Sequence, residues 1–236
     1  MASIRGNFDQ QLDHLSEQIL RMGSLVDEAI KNAMQALVQQ DSDLASAVVS
    51  KDQIINDLRY SIEEECYVLL ATQQPLAGDL RRVAATISIA TNMERMADHA
   101  AGVASLSLHL NKEPKLKAYV DLSRMAEIAC DMLRRALDGY INADADKAHR
   151  VAEDDEQINQ LDQKVLRELL GYMVKDPRTI RRATYLLWIS HNLERIGDRC
   201  KNICERVVYV ATGELADFDT VSHNDEILDE HDVLNI

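Results

Sequence analysis

The sequence predicts an all-α fold: two tandem, similar three-helix bundles built from six long helices. Three observations carry this. The chain has only 8 Gly and 3 Pro among 236 residues, so it has few places to turn and must use few, long elements. It lacks runs of alternating β-branched residues, the pattern a half-buried strand would need. It also repeats itself. Residues 92–98 read NMERMAD and residues 192–198 read NLERIGD, an offset of 100. Upstream, Asp41, Asp43 and Ala45 match Asp144, Asp146 and Ala148, and Asp52, Ile55, Asn56 and Leu58 match Asp155, Ile158, Asn159 and Leu161, both at an offset of 103. One loop, around Pro75 and Pro177, absorbs the three-residue difference, so each half is the same supersecondary unit.

The first helix is expected over 8–39, ending at QQDSD, where Asp and Ser can accept the free N–H groups of the next helix. The second is expected over 43–73, stopped by Pro75, and the third over 77–111. Pro114 separates the halves. The fourth to sixth helices are expected over 115–142, 145–174 and 177–212, with breaks at NADAD and VKDPRT. The organisation is therefore a first repeat over 1–112, a second over 113–213 and a tail over 214–236. The tail holds eight acidic residues and no Lys or Arg, a composition suited to a loosely packed, solubilising segment.

Charge narrows the function. A net charge of −14 disfavours nucleic-acid binding, which relies on Lys and Arg to displace counterions, and disfavours adhesion to anionic lipid. It suits cations and basic protein surfaces. No apolar run approaches the roughly 20 residues of a membrane span, and MASIRGNFDQQLDHL lacks an apolar signal core. Four cysteines, Cys66, Cys130, Cys200 and Cys204, are too few and too scattered for a disulfide scaffold, so a reduced, cytoplasmic setting is expected.

The repeated sentence carries the candidate chemistry. It places Glu94 four residues before Asp98 and Glu194 four before Asp198. With about 100° per residue, Glu94 falls within a stripe of Leu80, Val83, Ile87, Ala90, Ala97, Ala101 and Leu108, with Asp98 at its edge. Ile180, Leu187, Glu194, Asp198, Asn202 and Glu205 form the corresponding line in the second half. Carboxylates that continue an apolar seam need a neutralising arginine, a proton or a bound cation. Arg95 and Arg195 lie about 100° round the helix and are expected to neutralise imperfectly, or to pair with other helices. Hard cations take several oxygen ligands, and iron and zinc also accept carboxylates.

On the repeat, on QPLAGDLRRV, on NMERMADH and on NLERIGDRCKNICE, the chain to about residue 212 resembles the PhoU family of bacterial phosphate-signalling proteins. The resemblance implies two three-helix bundles side by side. It implies metal held by Glu94, Asp98, Glu194 and Asp198, with iron or zinc ahead of magnesium or manganese. The family pattern often continues as D-H-x-x-N-I-x-E. The first half keeps Asp98-His99 but has Gly102 and Ser105 later, whereas the second keeps Asp198, Asn202 and Glu205 but has Arg199 for the histidine. The second site is therefore expected to be the richer in ligands, and His99 is as much a surface histidine as a ligand. The resemblance further implies a non-enzymatic, cytoplasmic negative regulator of the phosphate-starvation response. Such a protein connects the phosphate ABC transporter, through its ATPase subunit, to a sensor histidine kinase at the inner face of the membrane. A homodimer is expected.

Two other classes stand beside this. A di-iron helical-bundle enzyme needs E-x-x-H pairs, and none occurs; Asp146-Lys147-Ala148-His149 is the nearest approach. A metal-free helical adaptor is the other. Arg81, Arg82, Arg181 and Arg182 form a repeated pair that reads equally as a partner site or as surface charge near helix starts. Cys200 and Cys204, in line with Leu186 and Leu193, read as small core residues. Tyr185 and Trp188 read as core or interface.

Overall fold

The computed structural model describes residues 2–116 and 119–218. Its helices are α1 (Ala2–Gln39), α2 (Ser42–Gln73), α3 (Ala77–Leu110), α4 (Tyr119–Asn142), α5 (Ala145–Glu153), α6 (Asp155–Lys175) and α7 (Ile180–Thr212), with a 3₁₀ turn at Pro177–Thr179 before α7. No strand occurs among the described residues. The tail expected over 214–236 is described only to Phe218; the remainder lies outside the described residues.

The helix boundaries follow the sequence closely, and the two halves use the same punctuation. Gln40 and Ala143 both take positive φ, 58° and 48°. Each is followed by an aspartate that caps the next helix. Asp41 accepts from the N–H groups of Asp43 and Leu44, and Asp144 accepts from that of Lys147. Asp176 caps the 3₁₀ turn through the N–H of Arg178.

The fifth predicted helix is interrupted only at Asp154, between α5 and α6, and Asp154 itself keeps helical backbone angles (φ −69°, ψ −17°). Asp154 turns outward to accept from Arg135 on α4, while Asp155 turns inward and its side chain is only 4% exposed. Adjacent residues on a helix point about 100° apart, so the two neighbouring carboxylates serve different partners.

The helices α3 and α7 form the centre and run antiparallel. The start of α3 (Arg81) meets the end of α7 (Gly213), and the start of α7 (Arg181) meets Glu113 just past α3. α1 and α2 pack on α3, while α4, α5 and α6 pack on α7. α1 also packs on α4, so the halves are joined at two places and share one continuous core. The core is aliphatic, as the scarcity of aromatics requires: Ile19, Met22, Val26, Met93, Met96, Met125 and Met132 are fully buried. All four cysteines are free and buried, and burial pushes the thiols of Cys66, Cys130 and Cys204 up to about 12. They are packing residues, as expected.

The helix-wheel stripe needs correction. Leu80 is 45% exposed and Ile180 48%, while Ile87, Ala101, Leu108 and Leu187 are half-buried. The buried face of α3 keeps Val83, Ala90 and Ala97 of that stripe and continues through Thr86, Ile89, Met93, Met96, Ala100, Val103 and Ala104. Leu80, Ile87, Glu94, Ala101 and Leu108 lie to one side of that face and are half-buried or exposed. Trp188 is likewise not core: it is 54% exposed and meets Tyr185 edge-on, and Tyr185 stacks on His109 of α3.

One close approach fixes the α1–α4 contact. A Cβ on Gly23 would lie 2.2 Å from Cδ1 of the buried Leu137, whereas one on Gly171 would meet nothing within 4 Å. Gly23→Val is therefore expected to destabilise the fold by about 1–3 kcal/mol through overpacking. Gly171→Ala, in an open stretch of α6, is expected to stabilise it by about 0.5–1 kcal/mol. Urea unfolding midpoints of the two variants check the contrast.

Candidate functional site

The repeated motif does two jobs, divided by residue. Its asparagines tie the halves together. Asn92 Nδ2 donates to Ser88 O (2.9 Å), which leaves Oδ1 to accept from Asn202 Nδ2 across the seam (3.4 Å). Asn192 does the same: Nδ2 donates to Trp188 O (2.7 Å), and Oδ1 lies 3.0 Å from His99 Nδ1, which must then be the protonated ring nitrogen. Each such bond is worth about 1 kcal/mol. Gly102 makes room here, since a Cβ on it would stand 3.0 Å from Asn192 Oδ1. His99 is thus a half-buried tie between α3 and α7 rather than a surface histidine; burial, together with nearby Arg199, holds its ring below the usual histidine value.

The carboxylates of the motif flank this seam, one pair in each half. Glu94 and Asp98 have side chains 16% and 41% exposed, and Arg95 bridges them at 3.5 and 3.4 Å. Glu194 and Asp198 are 20% and 23% exposed, and Arg195 bridges them at 3.2 and 2.9 Å. This corrects the expectation for Arg95 and Arg195: each wraps back over both carboxylates of its own motif. Both arginines are about half exposed, so these bridges are worth about 0–1 kcal/mol each and are readily displaced.

A second helix adds an aspartate to each pair. Asp52 of α2 stands near Asp98 and Glu94; burial and the Asp98 charge push its carboxyl above the usual carboxylate range, and Asn56 donates to its Oδ2 at 3.1 Å. Asp155 at the start of α6 stands near Asp198 and Glu194, and Asn159 donates to its Oδ2 at 3.2 Å. The four residues Asp52, Asn56, Asp155 and Asn159 are the ones already matched by the repeat, but their place beside the motif carboxylates was not read from it. Asp52 Oδ1, Asn56 Oδ1 and Asp155 Oδ1 are buried without a hydrogen-bond donor. Oxygen donors left in this state fit a cation. Among the described residues, however, no three His, Cys, Asp or Glu side chains converge closely enough to hold a metal ion. Arg95 and Arg195 occupy the space between the carboxylates of each pair.

Asn202 and Glu205 are engaged elsewhere. Asn202 donates to Asn92, while Glu205 faces Arg206 (3.3 Å) and accepts from the N–H of Phe218 (3.2 Å). The arginine pairs are also used within the chain. Arg82 donates to Ser16 Oγ (2.9 Å), Arg181 donates to Glu113, Arg182 donates to Pro114 O (2.8 Å) and Arg81 lies against Gly213. Arg81, Arg181 and Arg182 lie at helix ends, where positive charge also complements the carbonyl-rich terminus, and Arg82 holds the middle of α1.

The fold and site define a helical repeat scaffold whose two acidic clusters flank an antiparallel seam. The chain matches the PhoU domain over residues 19–106 and 122–207, one copy in each half, and belongs to that family. It is 36% identical over 211 residues to a phosphate-specific transport system accessory protein PhoU homolog of Clostridium acetobutylicum, covering 89% of this chain and 96% of that protein. It is 33% identical over 228 residues to the phosphate-specific transport system accessory protein PhoU of Edwardsiella tarda, covering 96% and 93%. The crystal structure of PhoU from Pseudomonas aeruginosa superposes with a TM-score of 0.84 at 36% identity, covering 88% of this chain and 100% of that one. The phosphate transport system regulatory protein PhoU from Streptococcus pneumoniae gives 0.83 at 37%, covering 89% and 99%.

The electrostatics make one prediction. Burial, and then the Asp198 charge, push the Glu194 carboxyl up to about 7 from an ordinary 4.5. A folded-state value above the unfolded one contributes stability that is full below about pH 4.5 and is lost as pH rises through about 7. In chelator-treated protein, Glu194→Gln should match wild type at pH 4. At pH 8 it should exceed wild type by about 1–2 kcal/mol, a figure discounted for residual contact with water. Urea denaturation across that range measures the difference.

Proposed function

We propose that this protein is a non-catalytic accessory of the phosphate-specific transport system. It acts in the cytoplasm as a negative regulator of the phosphate-starvation response. The match of both halves to the PhoU domain, with relatives named as accessory and regulatory proteins across nearly the whole chain, carries this reading. By that kinship it links the ATPase subunit of the phosphate ABC transporter to the sensor histidine kinase, as a homodimer. No described helix is long and apolar enough to cross a membrane, so attachment to the inner face would run through those partners. Long helices that expose Tyr60, Tyr67, Val68 and Trp188 offer contact surface without a nucleophile or a phosphate-cradling loop.

Within this reading the first-half carboxylates take up a divalent metal. Asp52, Glu94 and Asp98 supply hard anionic oxygens and Asn56 a carbonyl, a donor set suited to manganese or magnesium as well as to iron or zinc. The ion would bridge α2 and α3 and hold the outer face of that half in one arrangement for docking.

Complementation tests both parts. In a strain lacking its own homologue, a phosphate-starvation reporter is expected to fire in phosphate-rich medium and to be silenced by the wild-type gene. Glu94→Gln with Asp98→Asn should silence it only partly, at wild-type protein levels. Failure of the wild-type gene to silence the reporter would remove the regulatory reading. Full silencing by the double variant would remove the metal's part in it.

A further inference from the structure

The two carboxylate clusters differ at two equivalent positions, and the differences act together. Ala97 of the first half corresponds to Gly197, and Ala101 corresponds to Lys201. Asp155, at the start of α6, faces α7. Gly197 makes room for it, since a Cβ there would stand 2.6 Å from Asp155 Oδ1 and 2.9 Å from Ile158 Cδ1. Lys201 then reaches it: Nζ lies 3.1 Å from Asp155 Oδ2 and 3.7 Å from Asp198 Oδ1. Both side chains of the closer pair are buried, Lys201 to 8% and Asp155 to 4% exposure. Phe218, packed edge-on against His149 at 5.1 Å, helps line the cleft through which the pair would otherwise meet water.

Lysine is among the residues least often buried, and a buried ammonium is tolerated where carboxylates surround it. The first half has no lysine at this spot. Its own extra cation, Arg59, stands where the second half has Asp162; its charge is felt by Glu94, but its ion pair is with Glu63 at 2.5 Å. Arg95 and Arg195 are exposed and displaceable; Lys201 is not.

We propose that Lys201 is the resident cation of the second-half cluster and occupies the place a divalent metal would otherwise fill among Asp155, Glu194 and Asp198. This rests on the carboxylate-site reading above and makes the two halves unequal: an ammonium holds the second shut, while the first stays open to metal. It also reverses the sequence-based expectation that the second site is the better metal site.

The test is equilibrium dialysis of the full chain against Mn(II), followed by thermal melts with and without the ion. Wild-type binding should be unchanged by Glu194→Gln with Asp198→Asn. Lys201→Ala and Lys201→Met should each gain about one further equivalent of manganese. That gain should vanish when Asp155→Asn is added, and Lys201→Arg, which keeps a cation there, should not show it. A lysine variant that folds only in Mn(II) supports the proposal; one that stays unfolded in Mn(II) counts against it. Loss of wild-type manganese on changing Glu194 and Asp198, or no gain in either the alanine or the methionine variant, overturns it. If wild type binds no manganese while Lys201→Ala does, the assignment of Lys201 stands and the first-half metal reading fails.

Discussion

The antiparallel packing of α3 on α7 is the contact on which the rest of the molecule depends. It places the two copies of the repeated motif at the same level, with residues 97 and 197 near the crossing point. From there Asn92 reaches Asn202 and Asn192 reaches His99. Small residues, Ala97, Ala100, Ala104 and Gly197, let the helices and their neighbours approach closely, and arginines from each helix start bind the opposite end. With the seam fixed, each motif's carboxylates can only flank it, facing α2 on one side and α6 on the other. A paired acidic surface is thus a consequence of how the halves join.

The same frame accommodates asymmetry cheaply. A carboxylate cluster partly removed from water must be neutralised, and each half does so differently. In the first half an exposed arginine lies over Glu94 and Asp98, and buried oxygens of Asp52 and Asn56 are left without donors. In the second half a buried ammonium joins two carboxylates, and a glycine makes the space. Two local substitutions suffice, because the seam and the core beneath them are shared.

Much of the fold was legible because its signals are local and repeated. Scarce Gly and Pro, paired Asp caps and the constant offsets place nearly every helix end. What was not legible depends on three dimensions. Asp154 and Asp155 are adjacent carboxylates in sequence, and only the packing shows Arg135 taking the first and Lys201 the second. Of the apolar stripe, Val83, Ala90 and Ala97 face the core, while Leu80, Ile87, Ala101 and Leu108 lie to one side of it, because the wheel shows which residues share a face but not where the neighbouring helices pack. The motif carboxylates were found, but Asn202 and Glu205 were carried by resemblance and serve other contacts here. Lys201 carries little signal in sequence, because a lysine on a helix is ordinarily a solvated residue and its alignment with Ala101 falls where the two copies already diverge.

The most direct test of this account is an anomalous-difference map from crystals of the intact chain grown in Mn(II). It should show a peak among Asp52, Glu94 and Asp98, with Arg95 moved aside, and none among Asp155, Glu194 and Asp198, where Lys201 keeps its place. A manganese peak in the second cluster with Lys201 displaced would contradict it.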